Sequence, residues 1–99
     1  LTEALFYILL AARRPAHGYG ITQEVASLTG GRVNLGPGTL YGAINSLLDK
    51  GWIELYSAEA GSRKKKEYRI TSQGRAAFAA EMERLQELVS NGARMEEET

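Results

Sequence analysis

The chain has 99 residues, 43% of them hydrophobic, with twelve Lys and Arg against twelve Asp and Glu and no cysteine. That length supports one compact domain around one core, and a domain so small often gains stability by burying an apolar face against a second copy. The missing cysteines exclude a disulfide framework, thiolate metal ligands and a cysteine nucleophile, and they fit a reducing cytoplasm.

Leu1 is not an initiator methionine, which points to a start further upstream. The longest apolar run, Ala4 to Ala12, is about half of the roughly 20 residues a membrane span requires, and no signal-peptide pattern precedes it. Leu5, Phe6, Ile8, Leu9 and Leu10 make this segment apolar nearly all round, so it is predicted to be a central buried helix bounded by Arg13-Arg14-Pro15. Pro15 to Gly20 reads as a breaker-rich connection. Ile21, Val25 and Leu28 then recur at i, i+4 and i+7, predicting a second helix that Gly30-Gly31 ends.

Pro37-Gly38-Thr39 opens a third helix, Leu40, Ile44, Leu47 and Leu48 form its apolar stripe, and Gly51 stands where a C-terminal cap belongs. Thr39, Gly42, Asn45, Ser46 and Asp49 lie on the opposite face, with Tyr41 on the flank. Short donors and acceptors on so slim a helix suit a DNA major groove. They equally suit an ordinary solvent-facing surface.

Trp52-Ile53-Glu54-Leu55-Tyr56 and Lys66-Glu67-Tyr68-Arg69-Ile70 read as two strands, joined through Ser57 to Arg63 into a hairpin. The zero net charge comes apart here. Residues 1–75 carry ten Lys and Arg against six Asp and Glu, whereas residues 76–99 carry two against six. Most of the positive excess sits in Arg63, Lys64, Lys65, Lys66 and Arg69, at the tip and return strand of the hairpin. A helix-turn-helix followed by a basic hairpin defines a winged helix, with the hairpin placed to grip phosphates beside the groove.

Thr71-Ser72-Gln73-Gly74 supplies caps for a last helix, over about Ser72 to Ser90, in which Phe78, Met82, Leu85 and Val89 are spaced as a heptad seam. The seam either meets a second copy or folds back on its own core. Asn91-Gly92 is expected to end the helix and to leave an acidic disordered tail. The expected fold class is mainly α with a small β-hairpin (α+β). It comprises a winged helix-turn-helix over 1–71, a dimerisation helix over 72–91 and a tail over 92–99.

His17-Gly18-Tyr19-Gly20-Ile21, Gly38-Thr39-Leu40-Tyr41-Gly42-Ala43-Ile44, Lys50-Gly51-Trp52-Ile53 and the stretch Arg63 to Thr71 with Gly74-Arg75 stand in one order and spacing. Together they resemble the PadR family over nearly the whole chain. The resemblance implies a bacterial or archaeal transcriptional regulator, usually a repressor, of the short type with a single dimerisation helix. It implies double-stranded DNA and a second copy as partners, and it places Tyr19, Thr39, Tyr41 and the wing lysines near DNA. Because some members bind flat apolar molecules between subunits, a small apolar effector against Phe6, Phe78 or Met82 is conceivable, although these residues are equally the expected core and seam.

The roles expected from side-chain chemistry are specific. Thr39 and the amides around it would hold a phosphate, Asn45 would read an adenine edge and Ser46 either base. Tyr41 would reach the backbone or pack half-buried. Arg63, Lys64, Lys65 and Lys66 would supply salt-sensitive affinity. A winged helix used only for protein contact would instead present an apolar recognition face. His17 is the only histidine, and Asp49, Glu54 and Glu59 have no apolar setting, so no catalytic, metal or cofactor site is expected.

Overall fold

The computed structural model describes residues 1–57 and 66–98. Helix α1, Glu3–Ala11, starts at Thr2, whose Oγ1 accepts from the Leu5 amide at 3.2 Å. Ile8, Leu9, Ala11 and Ala12 are buried, as an all-round apolar segment requires. The chain then forms a two-residue strand, β1, at Ala16–His17, where the sequence reads only as a connection. Helix α2, Gly18–Leu28, buries Ile21 and Val25, but Leu28 at its end is half-exposed rather than part of the buried stripe. Gly30 and Gly31 follow with φ of 60° and 81°, the left-handed turn that halts the helix.

Helix α3, Pro37–Asp49, begins with Pro37 in its first turn and buries Leu40, Ile44 and Leu47. It closes as a Schellman motif around Gly51, whose φ is 73°. The Gly51 amide donates to the Leu48 carbonyl and the Trp52 amide to the Leu47 carbonyl, both at 3.0 Å. Strand β2, Ile53–Ser57, pairs antiparallel with β3, Glu67–Ile70, placing Ile53 opposite Ile70 and Leu55 opposite Tyr68. Strand β3 also pairs with β1, Ala16 opposite Tyr68 and His17 opposite Glu67. The expected hairpin is therefore two strands of a three-stranded sheet in the order β1-β3-β2. The Ile70 amide, donating to the Ala12 carbonyl at 2.8 Å, ties this sheet to the end of α1.

Helix α4 runs from Ser72 to Glu97. Thr71 caps it, accepting from the Gly74 amide at 3.0 Å while its own hydroxyl donates to the Gly51 carbonyl at 2.6 Å. The disordered tail expected over 92–99 is corrected by this element, which passes through Asn91-Gly92 without a break. Gly92 keeps a negative φ, so it forms no left-handed cap. A helical glycine costs only about 1 kcal/mol, and Ala93, Arg94, Met95 and Glu96 are all strong helix formers. The radius of gyration, 15.6 Å, exceeds the ~13 Å of a compact 100-residue domain because the far half of α4 stands clear of the core.

On α4, Glu81 is 8% exposed and accepts from both ends of the Arg84 guanidinium, at 2.7 and 2.8 Å. These hydrogen bonds hold its carboxyl at about 2, below the ordinary 4.5, against the opposing effect of burial. A carboxyl with a depressed folded pKa binds fewer protons folded than unfolded, so it stabilises the protein above its unfolded pKa. We expect the melting temperature to fall as pH drops from about 4.5 towards 2 and the fall to be shallower in Glu81→Gln. Parallel acid profiles for the two proteins would contradict this.

Candidate nucleic-acid interface

The α3 stripe of Leu40, Ile44 and Leu47 faces the core, which forces Thr39, Gly42, Asn45 and Asp49 outward. Thr39 and Asn45 are exposed and Ser46 is half-buried, so the outward face is narrow, small and polar. Gly36 precedes α3 without a side-chain cap, leaving the first amides of the helix free of that partner. Anions are favoured at such an end.

Tyr41 is 47% exposed, yet it does not simply point away from the body. A Cβ placed on Gly18 would lie 2.7 Å from the Tyr41 Oη, so the phenol rests directly on the first turn of α2. This contact closes one side of a cavity of about 530 Å³. Tyr19, Gly20 and Gln23 of α2 line it together with His17, Gly18, Tyr41, Lys66 and Tyr68. Tyr19 is 73% exposed at its rim, whereas Tyr68 is 7% exposed at its wall. Burial, and secondarily Tyr41, pushes the Tyr68 phenol above its ordinary value, keeping it protonated and able to donate.

Of the expected DNA contacts, Tyr19, Tyr41 and Lys66 share this cavity, and Thr39, Asn45 and Ser46 occupy the neighbouring helix face. Arg63, Lys64 and Lys65 lie outside the described residues. Arg69 is not an unpaired cation: it reaches Glu54 at 2.6 Å and stacks over the Tyr56 ring at 4.7 Å. Sequence reading missed Gly18, Gln23 and Tyr68, because only the pairing of β1 with β3 brings their segments together. The one usable signal was the density of glycine and aromatic residues at 17–20.

The expected seam on α4 divides. Phe78 is engaged within the protomer, stacked on Phe6 with ring centroids 4.6 Å apart. Leu85 is half-buried, whereas Met82 and Val89 are 36% and 72% exposed. The Phe6–Phe78 stack leaves no gap for a flat molecule between the rings. Grooves of about 190 Å³ beside Phe78, 340 Å³ beside Phe6 and 410 Å³ beside Met82 open along this side of the protomer.

Two helices leading into a β-hairpin, with a polar helix face beside a donor-rich cavity, define a winged-helix DNA-binding protein. The chain belongs to the transcriptional regulator PadR-like family, whose model matches residues 7–80. It is similar to a transcriptional regulator from Clostridium thermocellum, with 25% identity, a TM-score of 0.73 and coverage of 91% of this chain and 90% of that one. A PadR family transcriptional regulator from Eggerthella lenta is also similar, with 25% identity, a TM-score of 0.71 and coverage of 90% and 76%. A PadR-like transcription factor from Bacteroides fragilis, at 20% identity and a TM-score of 0.74 over 93% and 87% of the two chains, shares the fold. No curated protein matches the chain in sequence. No helix among the described residues is long and apolar enough to cross a membrane.

Proposed function

We propose that this DNA-binding regulator is a sequence-specific repressor that works in the cytoplasm and binds a palindromic operator as a homodimer. Helix α3 enters the major groove and the wing lies on the backbone. The observation that carries this reading is the outward face of α3, small and polar at Thr39, Asn45 and Ser46 and set beside Lys66 and the tyrosine cavity. An apolar face would favour a protein partner, and α3 presents none. In this reading Asn45 reads an adenine edge, Ser46 reads either base, and Thr39 with the free amides of the first α3 turn holds a phosphate. Arg63, Lys64, Lys65 and Lys66 supply affinity without base specificity.

The test is binding to the DNA upstream of the protein's own gene at several salt concentrations. A protected site of two half-sites about 10 bp apart, centre to centre, or a multiple of that spacing, is expected. Replacing Lys64, Lys65 and Lys66 together by Ala should weaken binding to every sequence and flatten the log–log salt slope by up to about 3, roughly 0.9 for each phosphate no longer neutralised. An unchanged slope would remove the wing from the mechanism. Asn45→Ala should instead cost roughly 1–3 kcal/mol and relax specificity at a single base pair. Absence of any duplex binding at low salt would overturn the assignment in favour of a protein-contact module.

A further inference from the structure

The cavity between α2, α3 and β3 contains a polar atom for which the fold has no use. Tyr68 is 7% exposed, and among the described residues its hydroxyl neither gives nor receives a hydrogen bond. Yet that residue lines the cavity, and its phenol is held protonated. The hydroxyl itself opens into the cavity, since among the described residues no side-chain polar atom sealed from solvent lacks a partner, so its bonding capacity is left for whatever enters. Most of its neighbours are donors. The Tyr41 hydroxyl lies against the first turn of α2. The amides of Tyr19 and Gly20 are in that turn, and the preceding His17 gives them no side-chain cap. Lys66 is exposed at the same wall. Three phenols, with Tyr19 at the rim, two open amides and an ammonium can donate; His17 and Gln23 complete the lining, and among the lining side chains there is no carboxylate.

We propose that this cavity is a binding site for the phosphate of a nucleotide unit, with the Tyr68 hydroxyl and the Tyr41 hydroxyl as its side-chain donors. Donors converging on a helix N-terminus select an oxyanion. The volume, about 530 Å³, has room for a phosphate with the sugar that carries it. Such a phosphate comes either from the operator backbone or from a free nucleotide. In the first case the site deepens the DNA-binding reading above, and Tyr68, a strand residue outside the recognition helix, becomes a backbone contact. Gly18 is a positioning residue for it, because any side chain there would drive the Tyr41 hydroxyl off the α2 turn.

The experiment follows the amide resonances of Tyr19 and Gly20 while the full chain is titrated with the upstream duplex, with thymidine 5′-monophosphate and with thymidine. Wild type is compared with Tyr68→Phe, a change that removes only the hydroxyl. Since that hydroxyl bonds nothing in the fold, the melting temperature should stay within a degree or two. Duplex affinity should drop about tenfold, as for a lost hydrogen bond to a charged group, while the salt slope should not change. Shifts with the duplex alone identify the operator backbone as the source. Shifts with thymidine 5′-monophosphate but not thymidine, lost in Tyr68→Phe, identify a free phosphate ligand, and this arm reports even if the duplex does not bind. The proposal is overturned if Tyr68→Phe matches wild type in every arm, or if thymidine shifts the same amides as its monophosphate.

Discussion

Gly74→Ala should be the most damaging single methyl group that can be added to this protein. A Cβ at that position would lie 2.1 Å from the Trp52 carbonyl oxygen, 2.9 Å from its carbon and 2.8 Å from the Ile70 Cγ1. Two of the three obstacles are backbone, so no rotamer change relieves them. The junction is also fixed from several sides: the Thr71 amide donates to that same Trp52 carbonyl at 3.0 Å, and the Thr71 hydroxyl to Gly51 at 2.6 Å. The first turn of α4 thus crosses the α3–β2 corner at a distance only glycine permits. Relief requires moving either α4 or the strand that starts the wing. We expect a loss of roughly 3 kcal/mol or more, the upper end of overpacking costs, and a melting temperature lower by about 12 °C or more. Gly92→Ala is the matched control, since nothing lies within 4 Å of its added Cβ. In the interior of α4 it should stabilise by up to about 1 kcal/mol. Thermal unfolding followed by circular dichroism checks both, and a Gly74→Ala protein melting with the parent would refute the clash.

These two glycines also show what the sequence could and could not disclose. Local chemistry was legible. The stripe of Leu40, Ile44 and Leu47, the Gly51 cap and the Thr71 cap each depend on residues within a turn or two of one another, and each is present. The pairing of Ile53 with Ile70 follows from two apolar alternations separated by one loop. What escaped depends on distant segments. Strand β1 has two residues, too few for any periodicity, and exists because Ala16 and His17 meet β3 some fifty positions later. The same closure assembles the cavity from residues 17–23, 41, 66 and 68, whose spacing along the chain forms no motif. Gly74 gave no warning because its restriction comes from Trp52. Gly92 misled for the opposite reason: a glycine near an acidic end suggests termination, and only the backbone shows that it keeps a helical turn.

For the homodimer proposed above, Leu85→Asp should yield monomers that fold but hold the proposed operator weakly. On α4, Phe78 is already satisfied by Phe6, and in the stretch that follows Met82, Leu88 and Val89 are exposed while Leu85 is half-buried. Four apolar side chains within eight residues, three of them exposed in the protomer, fit an interface with a second copy. In a two-fold interface each copy contributes the same carboxylate, and burying such unpaired charge costs several kcal/mol. The core of Ile8, Leu9, Ile21, Ile44, Leu47 and Ile53 does not include Leu85, so the winged helix itself should persist. Added negative charge one turn from Glu81 weakens α4 by only a few tenths of a kcal/mol. Val89→Asp provides the stricter test. Val89 is 72% exposed in the protomer, so its replacement can matter only if another copy covers it. Each half of a palindromic site binds one winged helix, and linking two modules raises affinity by roughly 10²–10⁴-fold. Monomeric variants should lose that factor while keeping the salt slope of a single half-site. The acidic residues of α4, Glu83 and Glu87 among them, are consistent with a helix held away from the phosphates. Sedimentation of both variants, alongside duplex binding, decides the matter: if Leu85→Asp and Val89→Asp sediment as the parent does, α4 is not the dimer interface.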